Sequence, residues 1–177
     1  MNVSELLREM HSRQNTDFIA KIILEHPPLF KELWKIFLAN EEPISRRAAW
    51  VVDVITEKRP EWMTDLIEEL VDTIPSFVHD GMKRHSLHIL SRSTLPEDKL
   101  GEIAGFCFDW LMKPGEAVAT KMYSMEILYR ISEIEPDLKH ELADTIRLQM
   151  IEGTPGIRSC GKRVLGKLMK DASSIRL

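Results

Sequence analysis

The 177-residue sequence predicts an all-α chain of about ten helices, paired antiparallel and stacked in series, with no β-sheet. Three observations predict it. Prolines 43, 60, 75, 96, 114, 136 and 155 recur every 15 to 22 residues by subtraction, which is the beat of helices joined by short turns. Between them the apolar residues follow the helical period, as in Ile44, Ala48, Val51, Val52 and Ile55, and again in Leu100, Ile103, Ala104, Cys107, Phe108 and Leu111. Third, a short pattern of residue types returns at a nearly constant interval along the chain. Proline suits the first turn of a helix, where its missing N–H costs nothing, and stops a helix that would run through it.

Taken in order, these signals place helices at 3–12, 16–25, 28–39, 44–58, 60–73, 81–93, 96–112, 116–133, 136–151 and 156–170, to within a few residues. Thr94-Leu95-Pro96-Glu97 has the form of a capping box for the seventh helix. Asp80-Gly81 is hairpin-like, but no alternating apolar run flanks it, so no strand is expected. The tail from Asp171 to Leu177 is small and polar and is expected to fray.

The recurring pattern is a basic residue, a small one three later and a β-branched one three after that. It reads Arg46, Ala49, Val52; Lys83, Ser86, Ile89; Lys121, Ser124, Ile127; and Arg158, Gly161, Val164, in steps of 37, 38 and 37 residues. Leu90, Leu128 and Leu165 follow in three copies, whereas Asp53 takes the leucine's place in the first. Three and four are spacings on one helix face; the small residue admits a partner helix and the branched one fills the space beside it.

The Arg-x-x-Ala opening after Pro43, the proline between paired helices and the period near 37 resemble HEAT-like repeats of the armadillo-type superfamily. The resemblance implies a right-handed α-solenoid forming a single domain over 1–177. Its repeats would lie at about 13–40, 41–78, 79–114, 115–152 and 153–170, the last helix acting as a cap. Known members include scaffolds, transport factors and a branch of DNA glycosylases for alkylation repair, so the resemblance says little about function.

Composition narrows the function classes. Apolar residues make up 44% and charged residues 29%, which excludes a disordered or collagenous chain. A net charge of −4 offers no bulk positive field to nucleic acid or an anionic membrane, so such binding would need a local patch. Cys107 and Cys160 make neither a disulfide framework nor a zinc motif, and a reducing, cytoplasmic setting is expected. The charged N-terminal residues lack the order of a secretory signal, and the ten-residue run Ile103 to Met112 is too short to span a membrane.

The candidate binding residues are Arg46, Arg47, Lys83, Arg84, Lys121 and Arg158, each in the first turn of its helix. There a cation opposes the macrodipole at a cost of about 0.3–1 kcal/mol. Stacked repeats would align them into a column on the concave face, able to grip an acidic protein segment or a phosphate backbone. Alternatively they pair with Glu41, Glu42, Asp80 or Glu116 as part of the fold itself. Trp50 and Asp53 join this list because they share a helix face beside Arg46 and Arg47, as the glycosylase branch would require of an aromatic and an aspartate. The other tryptophans, 34, 62 and 110, read as core.

Weaker signals point elsewhere. Gly156 to Lys162 spells G-x-x-x-x-G-K, yet Arg163 follows where a magnesium-binding hydroxyl belongs and no strand precedes it, so it reads as chance. His79, His85 and His88 lack a third ligand at metal-binding spacing and read as a pre-helix residue and two solvent-facing imidazoles. Cys160 lies among Arg158, Lys162 and Arg163, a setting that would lower a thiol pKa. With no catalytic constellation, metal or cofactor expected, the sequence favours a non-enzymatic module that binds a protein or peptide with an acidic surface. The alternative is a solenoid that binds nucleic acid. Membrane binding is not expected, and the sequence is silent on oligomeric state.

Overall fold

The computed structural model describes residues 2–9 and 11–174, the last four of these by backbone alone. The described residues contain helices and turns and no strand. Among the described residues there are ten α-helices: α1 (Val3–Arg8), α2 (Arg13–Glu25), α3 (Leu29–Leu38), α4 (Ile44–Lys58), α5 (Ile67–Thr73), α6 (Asp80–Arg92), α7 (Leu100–Met112), α8 (Val118–Ile134), α9 (Leu138–Ile151) and α10 (Pro155–Ser174). None of them is long and apolar enough to cross a membrane. Residues 175–177 of the expected fraying tail lie outside the described residues, and α10 runs on through Ser174.

The chain divides into two compact units, Met1–Leu95 and Pro96–Leu177. In the first, α4 is the central helix, packed against α1, α2, α3 and α6. Its residues 51–56 are all buried, as they must be when neighbours cover a helix on every side. An aromatic series of Trp62, Phe30, Trp34, Phe37 and Phe77, with successive centroids 5.0 to 6.4 Å apart, fills the space beside it. Trp34 is therefore core, as expected, and Trp62 is half-buried at the outer end of the series. In the second unit α8 is central, in contact with α7, α9 and α10.

The repeat pattern corresponds to packing. Ala49, Ser86 and Ser124 are fully buried, Gly161 is buried, and the branched residues Val52, Ile89, Ile127 and Val164 lie at 0–1% exposure. Gly161 is small for a definite reason: a Cβ there would stand 2.6 Å from Sδ of Met150, on α9.

Two expected elements differ. The helix expected over 60–73 is a 3-10 turn, Pro60–Met63, followed after a short break by α5. Thr64 donates its hydroxyl to the Glu61 carbonyl, and the amides of Trp62, Thr64 and Leu66 bond three residues back, so the backbone closes on itself before a new helix begins. The capping box is also not formed. Pro96 holds an extended backbone, a 3-10 turn spans Glu97–Lys99, and no side chain caps α7. Asn2, Ser12, His79 and Thr154 are the side chains that cap α1, α2, α6 and α10.

Replacing Ser86 or Ser124 with leucine forces bulk between packed helices and should lower stability by about 1–3 kcal/mol. Chemical denaturation of the two variants measures this, and unchanged midpoints would refute the packing role of the small residue.

Candidate functional site

The α4–α6 contact carries most of the sequence-predicted residues. On α4, Arg46, Trp50 and Asp53 fall at i, i+4 and i+7, one face of the helix. On α6, His85, His88 and Arg92 fall at i, i+3 and i+7 and meet them. Asp53 is only 8% exposed, and its carboxylate accepts from His85 Nδ1 at 2.8 Å and His88 Nδ1 at 3.1 Å, with Arg92 Nη2 at 2.8 Å. Arg92 also donates to the Asp53 carbonyl at 2.7 Å and the Thr56 hydroxyl at 2.9 Å. Burial pushes the Asp53 carboxyl up, but the two imidazole hydrogen bonds and the Arg92 charge overcome it and hold the group well below the usual carboxylate range.

His85 is thus buried at 6% exposure rather than solvent-facing, a correction with a clear cause: Asp53, where the other copies have leucine, demands a donor across the helix contact. Arg84 Nη2 lies 3.1 Å from His85 Nε2. A guanidinium only donates, so Nε2 accepts and the proton sits on Nδ1, pointing at Asp53. His88 is half-exposed and shares the same carboxylate. Because both imidazoles spend Nδ1 on Asp53, the trio is a hydrogen-bonded cluster. Among the described residues no three His, Cys, Asp or Glu side chains are placed to hold a metal ion.

Trp50, half-buried, stacks on His85 with centroids 6.0 Å apart at 20° and meets His11 at 5.4 Å in an edge geometry. Arg46 Nη1 lies 3.4 Å from His11 Nε2, while Arg46 Nε pairs with Glu42 at 3.0 Å. The Arg46 side chain also crosses Gly81 at the head of α6, where a Cβ would stand 2.9 Å from its Cδ. His11 and Arg92 are the members of this cluster that sequence reasoning missed. The 85, 88, 92 spacing opposite the aberrant Asp53 was a usable signal for Arg92; His11, in the link between α1 and α2, left none.

The remaining cations serve their own units. Arg47 Nη1 donates to the Leu7 carbonyl in the last turn of α1 at 2.7 Å, and Lys83 is buried at 4% exposure. In the second unit Lys121 Nζ reaches the Gln149 amide oxygen at 2.8 Å, and Arg158 donates to the Met150 and Ile151 carbonyls closing α9 at 3.3 and 3.5 Å. Of the acids named as partners, Glu42 takes Arg46, and Glu116 lies 3.4 Å from Lys113. The G-x-x-x-x-G-K residues lie within α10: the Ile157 amide meets the Thr154 hydroxyl and the Arg158 amide the Thr154 carbonyl, so the stretch is the start of a helix and not a loop that cradles an anion. Cys160 is buried, and burial pushes its thiol up despite Arg163, whose guanidinium lies 3.6 Å from Sγ. The expectation of a lowered thiol pKa is thereby overturned. Cys107 is fully buried and raised for the same reason.

Asp53→Leu, which installs the residue of the other copies, should destabilise by about 3–5 kcal/mol because it leaves His85 and Arg92 facing each other without a counter-charge. Since the folded carboxyl titrates below its unfolded value, the stability Asp53 contributes is complete above about pH 4 and is lost as the pH falls further. Asp53→Asn should flatten the acid limb of a stability-versus-pH curve; an unchanged limb would show that the carboxylate is not the acid-sensitive group.

No curated protein and no solved structure matches the chain. A family model described as a HEAT repeat domain matches residues 3–168. The helical pairs, the buried small residue at each 37- to 38-residue step and this match agree: the chain belongs to the HEAT repeat family.

Proposed function

We propose that the protein is a non-enzymatic helical-repeat interaction module that binds an acidic protein or peptide through the α4–α6 face of its first unit. One observation carries the reading. Arg46 Nη1 lies 3.4 Å from His11 Nε2 and Arg84 Nη2 lies 3.1 Å from His85 Nε2, with Trp50 in contact with both imidazoles; partial burial and then Arg46, Arg47, His85 and Arg84 hold His11 below its usual pKa. In a chain of net charge −4 this gathers cationic side chains on one face, and such groupings attract and orient acidic partners. Arg84 is exposed and stands at the rim.

A second reading, nucleic-acid binding, is favoured by Trp50 and Asp53 sharing the face that the same cations border. Asp53 accepts from both imidazoles and is ion-paired with Arg92, which weighs against a chemical role for it.

A glutamate-rich peptide titrated into the intact protein should bind, and Arg84→Glu should weaken it roughly 10-fold by reversing a rim charge. A duplex DNA titration between about 50 and 200 mM salt separates the readings, since phosphate contacts give a steep salt slope. Peptide binding without DNA binding supports the first reading; DNA binding without peptide binding replaces it with the second.

A further inference from the structure

Apart from the α4–α6 contact, the first unit carries an open apolar cleft. Pro27 and Pro28 in the α2–α3 link, Phe30 and Trp34 on α3, and Trp62 and Leu66 in the chain leading into α5 line a volume of about 440 Å3, within the range of clefts that seat ligands. Phe30 and Trp34 are buried and make its floor. Pro27 and Pro28 are exposed, and Trp62 and Leu66 are half-buried, so the walls present apolar surface to water.

The charge beside this cleft is negative. Between Arg59 and Lys83 the chain has six acids and no lysine or arginine. Asp65, Glu68, Glu69 and Asp72 fall at i, i+3, i+4 and i+7, one helical face, and all four are exposed. That face adjoins the cleft: Glu69 accepts from the Trp34 indole N–H at 2.8 Å, and Asp65 precedes Leu66. Lys31, in the lining, and Lys35, a turn further along α3, offset part of the charge and leave it negative. Like charges three and four residues apart on a helix repel, so cations brought from outside stabilise the face. Among the described residues no three acids are placed to hold one metal ion, so the matching charge is spread out as well.

Spread carboxylates beside an apolar cleft fit a chain that carries several cations around one large apolar side chain. The apolar group leaves water in the cleft, while lysine or arginine stems lie on the aromatic walls and their heads reach the acids. We propose that the cleft and the acidic face of α5 form a docking site for a basic segment of a partner protein, anchored by a leucine, methionine or aromatic side chain between lysines or arginines. Trp62 receives the anchor: its ring is half-buried and is fixed edge-to-face on Phe30, with centroids 5.0 Å apart. The site shares no residue with the α4–α6 face, so it stands or falls independently of the acidic-partner reading.

The test uses the intact protein and three peptide pools of equal length with random outer residues. The first has lysines and arginines around a central leucine, methionine, phenylalanine or tryptophan, the second the same flanks around serine, and the third glutamates around the apolar centre. The first pool should shift the Trp62 indole N–H resonance in NMR and bind roughly 10-fold tighter than the second, as expected for burying one apolar side chain. Asp65→Asn combined with Glu68→Gln should weaken the first pool roughly 5-fold. The melting temperature should stay the same or rise, because both residues are exposed and repel their neighbours. Equal affinity for the first two pools, an unmoved Trp62 resonance or undiminished binding by the variant overturns the site. A Trp62 shift produced equally by the glutamate pool overturns it too, since charge would then not select the occupant. If no pool binds, the proposal falls, and self-association that the variant abolishes would assign the cleft to a second copy of the chain.

Discussion

The first unit is organised by one buried carboxylate. Asp53 sits on the central helix α4 at a position where three other copies of the repeat place leucine, and it is enclosed by three donors from α6. A buried charge with a single partner would be costly; one with two imidazoles and a guanidinium is held in a fixed geometry. The consequence runs outward from there. His85, oriented by Asp53, supports the Trp50 ring, and Trp50 in turn meets His11, so the ordering of the exposed cationic face is inherited from an interaction that solvent barely reaches.

The first-turn cations find an answer that the helix dipole alone does not suggest. A cation at a helix N-terminus is unfavourable for its own helix, yet a neighbouring helix ends nearby and presents unpaired carbonyls. Arg47 takes the carbonyl of Leu7 near the end of α1, and Arg158 takes those of Met150 and Ile151 at the end of α9. In each case the charge that opposes one macrodipole complements another. Recurrence of a basic residue at the start of each copy is thus explained in part by how paired helices turn, and only Arg46 and Arg84 contribute to the cluster while also reaching toward solvent and its imidazole neighbours.

Much of the fold was legible because it is written in local rules. Proline spacing and the 3.6 period placed α4, α6 and α8 to within two residues, and the small residues at 49, 86, 124 and 161 are buried as the repeat implied. The errors lie where several local rules compete: Pro60 and Thr64 turn the chain before α5, and Pro96 leads into a 3-10 turn instead of a capped helix. At the site, the sequence marks Trp50 and Asp53 but gives no partner for Asp53. Histidines 85 and 88 read as surface residues until the opposite helix was in view, since burial across a helix contact depends on residues 32 to 35 positions away. His11 approaches Arg46 from 35 positions away, with no periodicity to announce it.

Chains built from similar modules face a sorting problem, because a helix that fits one neighbour fits the others nearly as well. The substitution of aspartate for leucine in a single copy solves it for the first unit. The helix that closes over α4 brings His85, His88 and Arg92 to the carboxylate, whereas the equivalent positions of α8 carry Tyr123, Glu126 and Arg130, so an exchange of modules, within one chain or between two, would replace both imidazoles and set Glu126 toward that ion. The odd residue of the series thereby acts as a key that fixes which shelf rests on which.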